Sequence, residues 1–118
     1  MDPKTRKELK EKIFYVVKTK RMYKKNDYTV RQLAEDLKTN PRYVSMVLSE
    51  CYGMNYKTFV NKFRVEDAMA MLSNEEYDSM NVEDIGTAAG FLNKQSFFTY
   101  FIKIAGTTPL RYRKNVRG

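Results

Sequence analysis

The residue inventory argues first against catalysis. The chain of 118 residues contains no His and one Cys, and it shows neither a glycine-rich phosphate loop nor converging carboxylates. No acid–base or nucleophilic constellation, multi-cysteine metal site or internal disulfide can be assembled from it, and nothing calls for a cofactor. What remains is charge and hydrogen bonding. The net charge is +8 with a pI near 9.6, which points to a polyanion, nucleic acid ahead of an acidic membrane surface. A basic surface kept for solubility is the competing reading. Two short stretches concentrate the informative side chains: Arg42, Ser45, Met46 and Ser49, and then Lys94, Gln95, Phe98 and Thr99. Arg42 is suited to pairing bidentately with guanine O6 and N7, Gln95 to adenine or a mixed contact, and Met46 and Phe98 to thymine methyls. Against this stand ordinary exposed helix surface for the polar members, and core or subunit packing for Met46 and Phe98.

These residues reach a groove only if helices present them. The stretch from Asn55 to Leu72 is the organising element. Tyr56, Phe59, Val60 and Phe63 trace one apolar face, while Val65, Ala68, Met69 and Leu72 trace a face on the opposite side. Such a helix can pack against two bodies as a connector; the alternative is a single wholly buried core helix. Upstream, Asp2-Pro3 supplies a cap and first helical position for a helix carrying Leu9, Ile13, Val16 and Val17 inward to about Lys20. Lys4, Lys7, Lys10 and Lys18 fill its other face, either solvated or in contact with phosphate. Thr29 and Gln32 form a capping-box pair ahead of Val30, Leu33, Ala34 and Leu37. After the turn Lys38-Thr39-Asn40, a helix from Pro41 to about Tyr52 is expected to bury Tyr43, Val44, Val47, Leu48 and Cys51, and Gly53 ends it.

A second copy follows. Val82, Ile85 and Ala89 match Val30, Leu33 and Leu37 at an offset of 52; after one inserted residue, Phe97, Tyr100, Phe101 and Ile104 match Val44, Val47, Leu48 and Cys51 at 53. Gly106 matches Gly53, and Thr108-Pro109 restarts a helix as Asn55-Tyr56 does. Two helix-turn-helix units joined by one long helix are far more specific than either alone. The expected fold is therefore all-α with about seven helices. Residues 1–54 form the N-terminal helix and first helix-turn-helix subdomain, 55–72 the linker helix, and 73–118 the second subdomain. Ser73 to Met80 reads as a solvated acidic connector. Charge follows this plan: residues 1–25 carry +7, residues 26–80 carry −3 and residues 81–118 carry +4.

With these residues in place, the chain from Tyr28 to Arg113 resembles the DNA-binding domain of the AraC/XylS family of bacterial transcription regulators. The first unit and the Arg64…Ala68…Leu72 start of the connector look like that family's first half. The second unit carries its Ile85…Gly90-Phe91 turn, the Phe97…Phe101 spacing and the closing Gly106-Thr107-Thr108-Pro109…Tyr112-Arg113 run. Met46 and Thr99 stand where the family often has a basic residue, Ile102 where it usually has Lys, and Gly86 where it often has Ala or a polar residue. These departures bear on the target sequence, not on the family.

The resemblance implies sequence-specific binding of double-stranded promoter or operator DNA. Arg42, Ser45, Met46, Ser49, Lys94, Gln95, Phe98 and Thr99 match the family's base-reading positions. Phosphate contacts are expected at the helix starts behind Asn40, Asn81 and Asn93, with Thr39, Lys57, Lys103, Arg111 and Arg113 adding charge or hydrogen bonds. RNA polymerase is an expected further partner, and dimerisation is expected through a region outside this chain. The opposing class is a helical protein-interaction or oligomerisation module that no longer reads DNA, which exposed Phe98 and Ile102 would suit. An RNA binder fits on charge alone, but the aromatic-sheet and clamp-loop motifs of RNA modules are missing. With neither a signal peptide nor a stretch of ~20 apolar residues, the expected location is the cytoplasm, with no membrane partner.

Overall fold

The computed structural model describes residues 1–118 as seven α-helices without a strand. They are α1 Pro3–Phe14, α2 Val30–Asp36, α3 Pro41–Tyr52, α4 Tyr56–Leu72, α5 Val82–Ala89, α6 Lys94–Ala105 and α7 Pro109–Arg117. Local hydrogen bonding sets where they start. Asp2, Thr29, Asn40, Asn55, Asn81, Asn93 and Thr108 each accept, through a side-chain oxygen, the N–H three residues on. Each cap satisfies one of the orphan donors of a helix start, which contributes about 1 kcal/mol.

The chain divides into two compact units, and the division cuts α4 between Val60 and Asn61. In the first unit, Leu9, Ile13 and Val17 from α1 and its extension join Leu33, Ala34, Val44, Val47, Leu48, Phe59 and Val60 in the buried set. Tyr23 and Tyr28 are buried with them. Tyr28 donates its hydroxyl to Asp36 at 2.5 Å, and its carbonyl accepts the Tyr56 hydroxyl at 2.6 Å. Beyond Phe14 the helix widens into a π-turn over Tyr15–Thr19, where Lys20 N–H reaches the Tyr15 carbonyl at 2.8 Å.

The second unit is built on phenylalanine. Phe91, Phe97 and Phe101 pack with Val65, Ala68, Met71 and Leu72 of α4 and with Ile85 and Ala89 of α5. The Phe97 ring stands 5.3 Å from Phe91 and 5.6 Å from Phe101, and Phe101 meets Tyr112 edge-on at 5.6 Å, spacings at which aromatic pairs attract. Gly86 faces Phe97 so closely that a Cβ on it would lie 2.4 Å from a ring carbon. Lys24–Asn26 belong to this unit although they precede α2. Arg64, 7% exposed, holds them by donating to the Lys25 carbonyl at 2.8 Å and to Asn61 Oδ1 at 2.7 Å.

Three expectations need correcting. Tyr43 is 44% exposed and Ile104 40% exposed: each sits at the edge of its helix's apolar stripe, where neighbours and not periodicity decide burial. Gln32 leaves the capping box half made, because its side-chain amide donates to Asp36 at 3.0 Å. The acidic stretch is solvated as expected, with all but Tyr77 and Met80 exposed, yet it is tethered. It contains a 3-10 turn at Glu75–Tyr77, and α7 holds it: Arg113 donates to the carbonyls of Met80 and Tyr77, and Arg117 grips Asp78 with both terminal nitrogens.

The Arg117 hydrogen bonds hold Asp78 below the ordinary carboxylate range. A depressed folded-state value means this contact stabilises fully above about pH 4 and is lost as pH falls through the lowered value. Asp78→Asn should therefore lower stability near neutral pH and leave it nearly unchanged near pH 2, the gap between the two proteins closing as pH falls, as thermal melts between about pH 2 and 6 would reveal.

The two turns solve one problem in two ways. Lys38 and Gly90, equivalent at the offset of 52, both have positive φ, at 56° and 117°. A side chain in the left-handed region costs about 1–2 kcal/mol, and glycine loses about 0.5–1 kcal/mol of chain entropy on folding. Lys38→Gly should thus stabilise the protein by up to about 1 kcal/mol, seen as a higher urea midpoint; a lower one would show that the Lys38 side chain itself stabilises the fold.

Candidate nucleic-acid interface

In the first unit the candidate surface is the outer face of α3. Pro41 takes the first helical position behind Asn40, whose Oδ1 accepts Tyr43 N–H at 2.9 Å. Val44, Val47 and Leu48 are fully buried, and helical geometry then turns Arg42, Ser45 and Ser49 outward, where all three are exposed. Met46 is half-buried. Arg42 takes part in none of the four ion pairs, so its guanidinium is available. Thr39 is half-buried with its N–H given to the Ala34 carbonyl, and Lys57 is exposed in the first turn of α4.

In the second unit Asn93 caps α6 by accepting Ser96 N–H at 2.8 Å. Buried Phe97 and Phe101 direct Gln95 and Thr99 into solvent. Lys94 is exposed but engaged: its Nζ lies 3.5 Å from Glu83 and 5.4 Å from the Phe98 ring centroid. Phe98 is half-buried and packs on the core cluster, with its centroid 5.6 Å from that of Phe97. The two outer faces thus differ in chemistry, the first cationic and hydroxylic, the second amide-bearing, aromatic and charge-compensated.

Among the expected phosphate residues, Asn81, Lys103 and Arg111 are exposed, Lys103 lying 6.0 Å from the Tyr100 ring centroid. Arg113 is different. Its guanidinium bridges two main-chain carbonyls at 2.8 and 3.1 Å, and its Nε is buried. The expectation of a phosphate-directed Arg113 gives way to an internal clamp, because its donors point into its own unit. Sequence reasoning passed over Arg31, exposed in the first turn of α2. The repeat offset held the signal, since the equivalent residue is Glu83, the acid that engages Lys94. No helix is long and apolar enough to cross a membrane.

A family model described as a helix-turn-helix domain matches residues 33–115. The melibiose operon regulatory protein of Escherichia coli K12 is 28% identical over 86 residues, covering 73% of this chain and 28% of that protein. An uncharacterized HTH-type transcriptional regulator of Bacillus subtilis, YtdP, is 29% identical over 92 residues, covering 78% of this chain and 12% of that protein. The chain therefore spans well under a third of the length of these relatives. The solved C-terminal domain of AraT, a response regulator from Geobacillus stearothermophilus, aligns with a TM-score of 0.75 at 25% identity over 91% of this chain and 84% of that one. A transcriptional regulator with an AraC-type DNA-binding domain from Chromobacterium violaceum gives 0.74 at 18% identity, over 90% and 92%; at that identity the likeness concerns the fold.

Proposed function

Because the chain belongs to the AraC-type helix-turn-helix family of DNA-binding domains, we propose that it regulates transcription in the cytoplasm by sequence-specific binding of double-stranded promoter or operator DNA. In this reading α3 and α6 enter successive major grooves on one face of the duplex, about 34 Å apart. One chain then occupies an asymmetric site. The observation that carries the reading is the unpaired, exposed Arg42 on a helix whose opposite face buries Val44, Val47 and Leu48. Arg42, Ser45, Met46 and Ser49 read one half of the site; Gln95, Thr99, Lys94 and the exposed edge of Phe98 read the other. Phosphates are met by the N-terminal turns behind Asn40, Asn81 and Asn93, and by Thr39, Lys57, Lys103, Arg111 and Arg31. Contact with RNA polymerase and dimerisation through a region beyond these residues belong to the same proposal.

Selection of bound duplexes from a random library, followed by competition gel shifts, tests this. A defined two-part motif is expected. Inserting about half a helical turn between its parts should abolish the tight complex, because the second helix would then face the wrong side. No preference over random duplex would favour the protein-interaction reading. Arg42→Ala should cost about 1–3 kcal/mol on the selected site and relax discrimination at one base pair. Equal weakening on every sequence would instead place Arg42 on a phosphate. Affinity should fall with salt at a log–log slope of about −0.9 per phosphate neutralised.

A further inference from the structure

Along α1 runs a groove that the DNA reading does not use. A cleft of about 360 Å³ opens between α1 and the turn before α3, and a second of about 290 Å³ continues it toward the π-turn. Glu8, Lys12 and Leu37 line both, so they form one trough. From Asp2 to Val16 it follows α1 for about 20 Å at 1.5 Å per residue, the length of a partner helix of three to four turns. Its apolar surface comes from Leu9, Val16 and Leu37, and two exposed tyrosines stand at its sides, Tyr43 at 44% and Tyr15 at 55% exposure. Tyr15 opens the π-turn, a local widening that often marks functional sites.

Charge identifies the occupant. Residues 1–25 contain ten basic residues and only three acids, Asp2, Glu8 and Glu11, and all three acids line the trough. Glu8, Glu11, Lys12 and Tyr15 share a helix face by their i, i+3, i+4, i+7 spacing. Lys12 is the only basic side chain on the trough wall, with the α-amino group of Met1 at its end, two cations against three carboxylates. The other lysines of α1 lie elsewhere; Lys10, for example, covers the Tyr52 ring. On a chain of net charge +8 this is a local reversal of sign. Carboxylates there repel phosphates and anionic lipid headgroups, while an apolar floor between acids suits a helix that alternates aliphatic anchors with Lys or Arg. We propose that this trough docks a basic amphipathic helix of a partner protein, one that binds the first unit without contacting DNA.

The test uses the chain as it stands and a defined probe: an acetylated helical peptide of about 14 residues with Leu at every third or fourth position and Lys elsewhere. Nitrogen–proton correlation spectra recorded during the titration should show saturable shifts confined to residues 8–16 and 37–43, with Kd on the order of 10–100 μM. Glu8→Lys with Glu11→Lys, both at exposed positions, should weaken binding at least about tenfold; Tyr15→Ser should weaken it with the charges unchanged. Circular dichroism would verify that these variants fold. Several outcomes overturn the proposal: shifts spread over the whole surface, equal binding of a Glu-for-Lys peptide, shifts of the same residues by anionic vesicles, or concentration-dependent shifts without peptide. The last would make a second copy of this chain the occupant. None of these readouts involves DNA, so a chain that fails to select a motif can still pass this test.

Discussion

Gly86→Ala should destabilise the second unit by about 1–3 kcal/mol, an overpacking cost larger than a single methyl usually carries. The added carbon would lie 2.4 to 2.9 Å from three atoms of the Phe97 ring. That ring cannot swing aside, because Phe91 and Phe101 stand within 5.6 Å of it and it is itself buried. The strain must move α6 relative to α5. Phe97→Leu in the same chain should recover part of the loss, giving a favourable coupling in a double-mutant cycle. Urea denaturation of the four proteins measures it. Simple additivity would show that the ring has room to move. Since α6 carries Gln95 and Thr99, Gly86→Ala should also weaken binding to a selected site more than binding to random duplex.

Arg64→Met should cost a similar amount, about 1–3 kcal/mol. Methionine fills much of the volume, but it leaves the buried Asn61 Oδ1 without the hydrogen bond that Arg64 gives it at 2.7 Å, an unsatisfied acceptor penalised at about 1–3 kcal/mol. It also releases to solvent the carbonyl of exposed Lys25, now held at 2.8 Å. Arg64→Lys is the informative companion. It keeps the charge, yet a compact ammonium does not span two acceptors as a planar fork does, so it should recover less than half of the loss. Full recovery by lysine would assign the stabilisation to charge alone. Hydrogen exchange should locate the damage at Lys24–Asn26, the segment this side chain tethers.

The sequence announced what depends on nearby residues. All seven helix starts carry a capping side chain whose partner is three residues away. Gly53 and Gly106 mark helix ends through a conformation that glycine adopts cheaply. The faces of the connector were legible in part, because a helix has a fixed period: Phe59 and Val60 are buried in one unit and Val65, Ala68 and Leu72 in the other. Phe63, expected with the first face, is instead buried in the second unit, and Met69 is only half-buried. The inner faces of α3 and α6 followed for the same reason, and with them the outward residues of the candidate interface.

What stayed hidden depends on distant partners. Arg113 looked like any surface cation near a helix start, since the carbonyls that take it lie 33 and 36 residues away. Tyr43 and Ile104 looked internal because periodicity fixes a face and not what covers its edge. The departure at Gly86 made sense only once the Phe97 ring stood opposite. Lys38 gave no hint of a left-handed conformation, whereas Gly90, doing the same at the other turn, did.

The grip of α7 on the acidic stretch also sets a timetable for synthesis. Those contacts close across 33 to 39 residues, so Tyr77, Asp78 and Met80 emerge from the ribosome long before the arginines that fasten them. The first unit, whose last buried residue is Val60, has all its parts outside by then. A nascent chain should therefore pass through an interval in which one half is folded and the other waits, its phenylalanines exposed to chaperones.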